Sequence, residues 1–306
     1  MRVSTVKMSY EEWKAQRRKG IGGSDAAAAL GLNRWKSPLR LYLEKIGEID
    51  SEVDTEAAYW GNILEDIVAK EFEKRTGKKV KRVNAILIHP EYKWMIANID
   101  RKVVGESAIL ECKTTSVWNK DEWKDNEIPQ EYIIQLQHYL AVTGYKKAYI
   151  AVLIGGNKFI WKELERDDEL INMIIDGEKK FWEMVENRTP PELDGSKDAN
   201  EILEYLYPKA EEGSYIELPA YESLIDEIQS LNAQIKQLEK LKAEKENKLK
   251  EGMGEHEMAI VGKYKVIWKN ITSNRFDSRS FKKEYPDLYK KFLKSSSYRR
   301  FSIKEE

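Results

Sequence analysis

Apolar positions along the chain change their period near residue 80, and that change sets the order of elements. Trp60, Ile63, Leu64, Ile67 and Val68 recur at helical spacing and predict an amphipathic helix that stops near Thr76-Gly77. Upstream, Tyr10 to Lys19 reads as a helix, followed by the turn Gly20-Ile21-Gly22-Gly23 and a second helix opened by Ser24-Asp25, with Ser24 as its N-cap. Ser37-Pro38 opens a third, through Leu39, Leu41, Tyr42 and Leu43. From Val80 the runs become short and β-like: Val80 to Ile88, Trp94 to Ile99 and Ala108 to Thr115. Gln130 to Val142 is helical again and ends at Gly144, and Ala148 to Ile154 is a continuous apolar run suited to a strand buried on both faces. Phe159 to Leu164 predicts a further strand and Asp168 to Glu186 a closing helix. This order predicts an α/β fold, a mixed central β-sheet flanked by helices.

Beyond it the pattern weakens. Pro190-Pro191 through Pro219 reads as an acidic, loop-rich connector, placing a domain of residues 1–207 before a C-terminal part of residues 208–306. There Ile228, Leu231, Ile235 and Leu238 alternate by three and four before Lys242 and Lys245 break the stripe. So short a stripe predicts a helical arm packed on its own protein rather than a long coiled coil. A small α+β tail follows, with a strand over Tyr264 to Trp268 and the basic, aromatic ending Tyr298-Arg299-Arg300-Phe301.

Composition narrows the class. The 306 residues are 41% hydrophobic and 10% aromatic, with mean hydropathy −0.66, as expected of a soluble globular chain. The apolar run Ala148 to Ile154 is far short of the ~20 residues of a spanning helix, so no membrane partner is expected. The charged N-terminus lacks a secretory signal, which points to the cytoplasm. One cysteine and three histidines exclude an internal disulfide and make a Cys/His zinc site implausible, leaving carboxylates to hold any metal. Net charge is −1, but residues 1–50 and 263–306 are basic while residues 190–229 are acidic. Basic ends around an acidic middle fit a cleft that attracts phosphate, or simply a solvated surface.

In Ala108-Ile109-Leu110-Glu111-Cys112-Lys113 the strand period puts Glu111 and Lys113 on one face. Asp100 ends the preceding run, and a hairpin between Asp100 and Glu111 brings both carboxylates to one sheet edge. Hard oxygen donors suit Mg²⁺ or Mn²⁺. Lys113 can hold the attacking water or neutralise charge developing on phosphorus, a combination that points to phosphodiester hydrolysis. Glu65, at the edge of its helix's apolar face, is a candidate third carboxylate, and Tyr132 and Gln135 present polar groups to the same edge. Gln137 and His138 read as incidental. The glycines of the N-terminal turn free the backbone to approach a ligand, and Arg17 with Arg18 and Lys19 supplies charge for a terminal phosphate, although Asp25 disfavours an anion there.

These pieces in this order, Arg17 to Ser24, Gly61-x-x-x-Glu65, Asp100, Glu111-x-Lys113 and Tyr132-x-x-Gln135-x-Gln137, resemble the phage λ exonuclease family, in particular its YqaJ-like viral recombination nucleases. The stretch from Gly20 to Gly31 looks most like the YqaJ type, and the likeness covers about residues 10 to 190. It implies the PD-(D/E)xK restriction-endonuclease-like fold and a Mg²⁺-dependent exonuclease that degrades one strand of linear duplex DNA 5′ to 3′, leaving a 3′ single strand for an annealing protein. By the resemblance Glu65, Asp100, Glu111 and the Cys112 backbone carbonyl hold two metal ions, for which Mn²⁺ can substitute. It likewise makes Lys113 and Gln135 position the water, with Tyr132 and Gln137 in support, and gives Arg17 and Ser24 the 5′ phosphate. It further implies a toroidal homotrimer and a phage or prophage origin. Ile99 stands where the motif has proline, and residues from about Pro208 have no counterpart in the compact λ enzyme. The rival reading is a non-catalytic DNA-binding or annealing accessory; a third is an endonuclease or a Cas4-like end processor, and the single cysteine, too few for an iron-sulfur cluster, counts against the latter.

Overall fold

The computed structural model describes residues 1–50, 56–125, 127–295 and 297–305. The chain divides into two compact units, Met1–Tyr207 and Pro208–Glu306. The first unit runs β1 (Arg2–Ser4), α1 (Tyr10–Arg18), α2 (Gly23–Ala29), α3 (Pro38–Ile46), α4 (Glu56–Thr76), β2 (Val80–Arg82), β3 (Ala85–Ile88), β4 (Ile96–Ala97), β5 (Arg101–Val103) and β6 (Ala108–Thr115). It continues through a 3₁₀ turn (Val117–Trp123) to α5 (Gln130–Thr143), β7 (Lys147–Ile154), β8 (Lys158–Glu165), α6 (Asp168–Glu186) and α7 (Lys197–Leu206).

A five-stranded sheet of order β2-β5-β6-β7-β8 forms the centre. Its β6–β7 pair is parallel, with α5 between the two strands in sequence, and its other pairs are antiparallel. A parallel pair needs a crossover, and α5 supplies it. On one face Ile109, Ile150 and Val152 pack under Leu136 and Leu140 of α5 and the alanines of α2. On the other, Leu110, Tyr149 and Ala151 meet Val68, Ala69 and Phe72 of α4. Burial on both faces explains why β7 reads as an unbroken apolar run. A small sheet, β1-β3-β4, stands beside the large one.

The structure revises several readings. The run Val80 to Ile88 is two strands, β2 and β3, in different sheets, and Trp94 to Ile99 shrinks to β4. Asp100 does not end a strand; it precedes β5, whose Arg101-Lys102-Val103 is too short and too charged to show a β pattern. The stripe of α4 is only partly core: Val68 is buried, while Trp60, Ile63 and Ile67 are exposed. The acidic stretch after Pro190 is not all connector, because α7 packs back on the domain. Buried Asp198 accepts a hydrogen bond from the Ser37 backbone N–H (2.7 Å) and pairs with Arg40, so its charge is spent on α3.

The second unit contains a 3₁₀ turn (Pro219–Tyr221), α8 (Glu222–Met253), the antiparallel hairpin of β9 (Met258–Val261) and β10 (Tyr264–Ile267), α9 (Ser278–Glu284) and α10 (Pro286–Lys291). The strand expected at Tyr264 has a partner, β9, that the pattern missed. The helix α8 is 32 residues long, and among its described residues only Met253 is buried within its own unit. No helix among the described residues is long and apolar enough to cross a membrane.

Candidate active site

The β5–β6 register sets Arg101 opposite Leu110, which brings Asp100, one residue before, alongside Glu111. One Asp100 carboxylate oxygen, Oδ2, accepts the Cys112 backbone N–H at 2.8 Å, fixing the acid at the strand's edge. Glu111 is 4% exposed on the face that α5 covers. Its Oε1 accepts from Lys113 Nζ and from Gln135 Nε2, both at 2.7 Å. Its Oε2 is buried without a hydrogen-bond partner. An anionic oxygen left so costs free energy unless something else satisfies it.

Burial, then the charges of Glu111 and Glu65, hold the Asp100 carboxyl well above its usual range, against the pull of Lys113 and the Cys112 N–H. Burial works against the Lys113 ammonium, but Glu111 and Asp100 outweigh it and keep the lysine protonated beyond its ordinary range. The Lys113 ammonium also lies 5.3 Å from the centre of the Tyr132 ring. Burial and the same carboxylates push the Cys112 thiol up, so this cysteine has little thiolate character and only its backbone carbonyl can serve a hard cation.

Of the expected acids the structure brings two together. Glu65 is near enough to raise Asp100, yet its Oε1 is engaged by Arg101 and lies 3.7 Å from Arg82. Arg101, 4% exposed, also binds Asp66 at 2.6 Å and the Asp100 carbonyl at 2.8 Å. Among the described residues no three Asp, Glu, His or Cys side chains converge as a ready metal cluster. Gln137 is not a supporting site residue: it donates to the Glu165 carbonyl (2.8 Å) and accepts from the Asp167 N–H (3.1 Å), bracing α5 against the start of α6. His138 bonds Glu178 (2.7 Å) and the Ile96 carbonyl (2.8 Å) in full burial, a structural role.

The glycine turn serves protein neighbours first. A Cβ on Gly20 would stand 2.3 Å from the Trp94 carbonyl oxygen, and one on Gly23 would stand 2.3 Å from the Tyr139 ring. These glycines allow close packing rather than approach of a ligand. Ser24 is not the N-cap of α2; Gly22 is, and Ser24 lies in the first turn with its hydroxyl accepting from Arg17 at 3.1 Å. Asp25, which the sequence set against an anion site, is instead its organiser. One oxygen, Oδ2, receives Arg17 Nη2 and Lys45 Nζ, each at 2.8 Å, and the Gly22 N–H at 3.3 Å. Burial opposes this charge, but Arg17, Lys45 and Lys36 hold the Asp25 carboxyl far below the usual carboxylate range. Trp13, Arg17, Ser24, Lys45, Asn62 and Lys113 all line one cavity of about 440 Å³, which runs from the cationic turn to Lys113. Tyr139 links the halves, since its hydroxyl accepts from Gln135 at 3.1 Å while its ring packs on Gly23. Sequence reasoning missed Lys45 and Tyr139; each sits on a helix whose apolar pattern explains it without a site.

The mixed sheet with helices on both faces places the first unit in the fold class of the alkaline exonucleases. It is similar to the alkaline exonuclease LHK-Exo from Laribacter hongkongensis, with a TM-score of 0.51 at 23% identity over 58% of this chain and 94% of that one. For LHK-Exo in complex with dAMP the values are 0.51 and 23% over 64% and 97%. A model of the YqaJ-like viral recombinase domain matches residues 12–146. The YqaJ protein of Bacillus subtilis (strain 168) is 52% identical over 303 residues, spanning 97% of this chain and 95% of that protein. The chain therefore belongs to the YqaJ-like viral recombinase family.

Proposed function

We propose that the protein is a divalent-metal-dependent exonuclease that degrades one strand of linear duplex DNA 5′ to 3′ and leaves a 3′ single strand for an annealing protein. The observation that carries this reading is Glu111 Oε2, a buried and unpartnered carboxylate oxygen beside the charge-strained Asp100. Two carboxylates and the Cys112 carbonyl are a donor set suited to Mg²⁺ or Mn²⁺, which take few protein oxygens and fill the remainder with water and phosphate. Glu65 would join them only by giving up Arg101. A divalent ion held there would supply Lewis-acid polarisation of the phosphate and an activated water.

The protein's own groups do the remainder. Lys113, fixed by Glu111, presents a protonated amine that orients the water and neutralises charge growing on the phosphoryl oxygens. Gln135 holds Glu111 from the helix side, so the acid keeps one rotamer with Oε2 free. Arg17 and Ser24 receive the terminal 5′ phosphate in the cationic end of the cavity, where Asp25 and Lys45 hold the guanidinium in place.

The test is nucleotide release from linear duplexes with 5′-phosphate or 5′-hydroxyl ends, with Mg²⁺ or with chelator, beside covalently closed circles. Metal-dependent release from linear DNA alone, faster from phosphorylated ends, is the expected result. Arg17→Ala and Ser24→Ala should erode that preference without loss of metal affinity. DNA binding without cleavage in any metal would instead favour a non-catalytic accessory.

A further inference from the structure

In the second unit positive charge and aromatic rings gather in one stretch. Residues 263–306 carry thirteen Lys/Arg against five Asp/Glu, whereas residues 208–262 carry seven against twelve. One of those five acids, Asp277, is spent as the N-cap of α9, where its carboxylate accepts the Arg279 and Ser280 N–H groups at 3.1 and 3.0 Å. Beside α9 and α10 lies a cavity of about 530 Å³ lined by Phe276, Phe281, Leu288, Tyr289, Phe292 and Leu293, with Lys294 also on its lining. Phe281 and Tyr289 are half-buried, while Phe276 and Phe292 are each 72% exposed, which offers ring faces that a folding core would have covered. Cations stand at these rings: Lys282 Nζ is 5.6 Å from the centre of the Tyr289 ring and Lys291 Nζ 5.9 Å from that of Phe292.

We propose that this cavity binds single-stranded DNA, with bases stacked on Phe276 and Phe292 and backbone phosphates held by Lys282, Lys291 and Lys294. Open ring faces beside cations match a strand whose bases are unstacked and whose backbone is anionic. A duplex hides its base faces inside the stack and would reach only the lysines. The site stands apart from the reaction proposed above; its role there, holding the single strand left behind, rests on that reading.

The test is fluorescence anisotropy of the full chain with a labelled 5′-hydroxyl oligo-dT of about 16 nucleotides, in chelator so that no cleavage intervenes. Phe276→Leu/Phe292→Leu, which keeps apolar side chains but removes the rings, should weaken binding about tenfold or more, and Phe276→Trp/Phe292→Trp should bind at least as tightly as the parent. Changing Lys282, Lys291 and Lys294 to Gln should lower the slope of log affinity against log salt by about 2, at ~0.7 per phosphate contact. Covalently closed duplex and inorganic polyphosphate should compete poorly, phosphate for phosphate. Three results would overturn the proposal: affinity indifferent to the leucine pair, equal losses in the leucine and tryptophan pairs, or competition by closed duplex or polyphosphate as effective as by oligo-dT. A chain that binds in this way without hydrolysing DNA would leave the site standing and remove only its role in the reaction.

Discussion

At the scale of residues the site is defined by charges that the fold holds in uncomfortable places. Lys113 sits at their centre, and Lys113→Ala should lower hydrolysis roughly 10²- to 10³-fold while DNA affinity in a binding assay stays close to that of the parent. Asp100 has a raised folded-state pKa, so its ionised form costs stability once the pH exceeds the ordinary carboxylate range. Asp100→Asn keeps an acceptor for the Cys112 N–H and removes that charge; without divalent ions its melting temperature should rise by roughly 2–4 °C, and Mn²⁺ should no longer stabilise it. Asp25 is the opposite case. Its folded pKa is depressed, so its stabilisation is present above the unfolded value and is lost as the pH falls below about 4. Asp25→Asn leaves the buried Lys45 ammonium uncompensated and should cost about 3–5 kcal/mol at neutral pH, with melts that change less between pH 5 and pH 3 than those of the parent, ~4 being the reference value.

Helix and strand contacts decide whether those charges meet. The α2–α5 approach is close because Gly23 has no side chain, and α5 carries both Gln135, which binds Glu111, and Tyr139, which accepts from Gln135. Gly23→Ala drives a methyl into the Tyr139 ring; we expect a loss of about 1–3 kcal/mol in denaturant unfolding and a fall in hydrolysis larger than that loss of folded chain explains. The strongly periodic elements, β6, α5, β7 and α6, were legible from their apolar spacing, because burial on a defined face is what that spacing encodes. β5 was not legible. Three residues, two of them basic, hold their strand conformation through pairing with β2 and β6, and Asp100 reaches Glu111 only because of that pairing. The first half of α4 misled in the other direction, since an apolar stripe does not say where the sheet stops covering it.

The whole molecule is two units, and the nuclease chemistry we propose lies in the first. A chain of residues 1–207 should melt cooperatively and retain metal-dependent hydrolysis, readable by calorimetry and nucleotide release. The sequence by itself determined the family likeness, through motifs in a fixed order along the chain, and the alternation that puts Glu111 and Lys113 on one strand face, which depends only on neighbours two positions apart. Only the tertiary structure decided that Asp25 gathers Arg17 and Lys45, that Glu65 is held by Arg101, and that Gln137 braces helices instead of the site. Those outcomes turn on which partner a side chain meets across distant segments, and competition among nearby charges for one buried oxygen is settled by geometry that no local pattern carries.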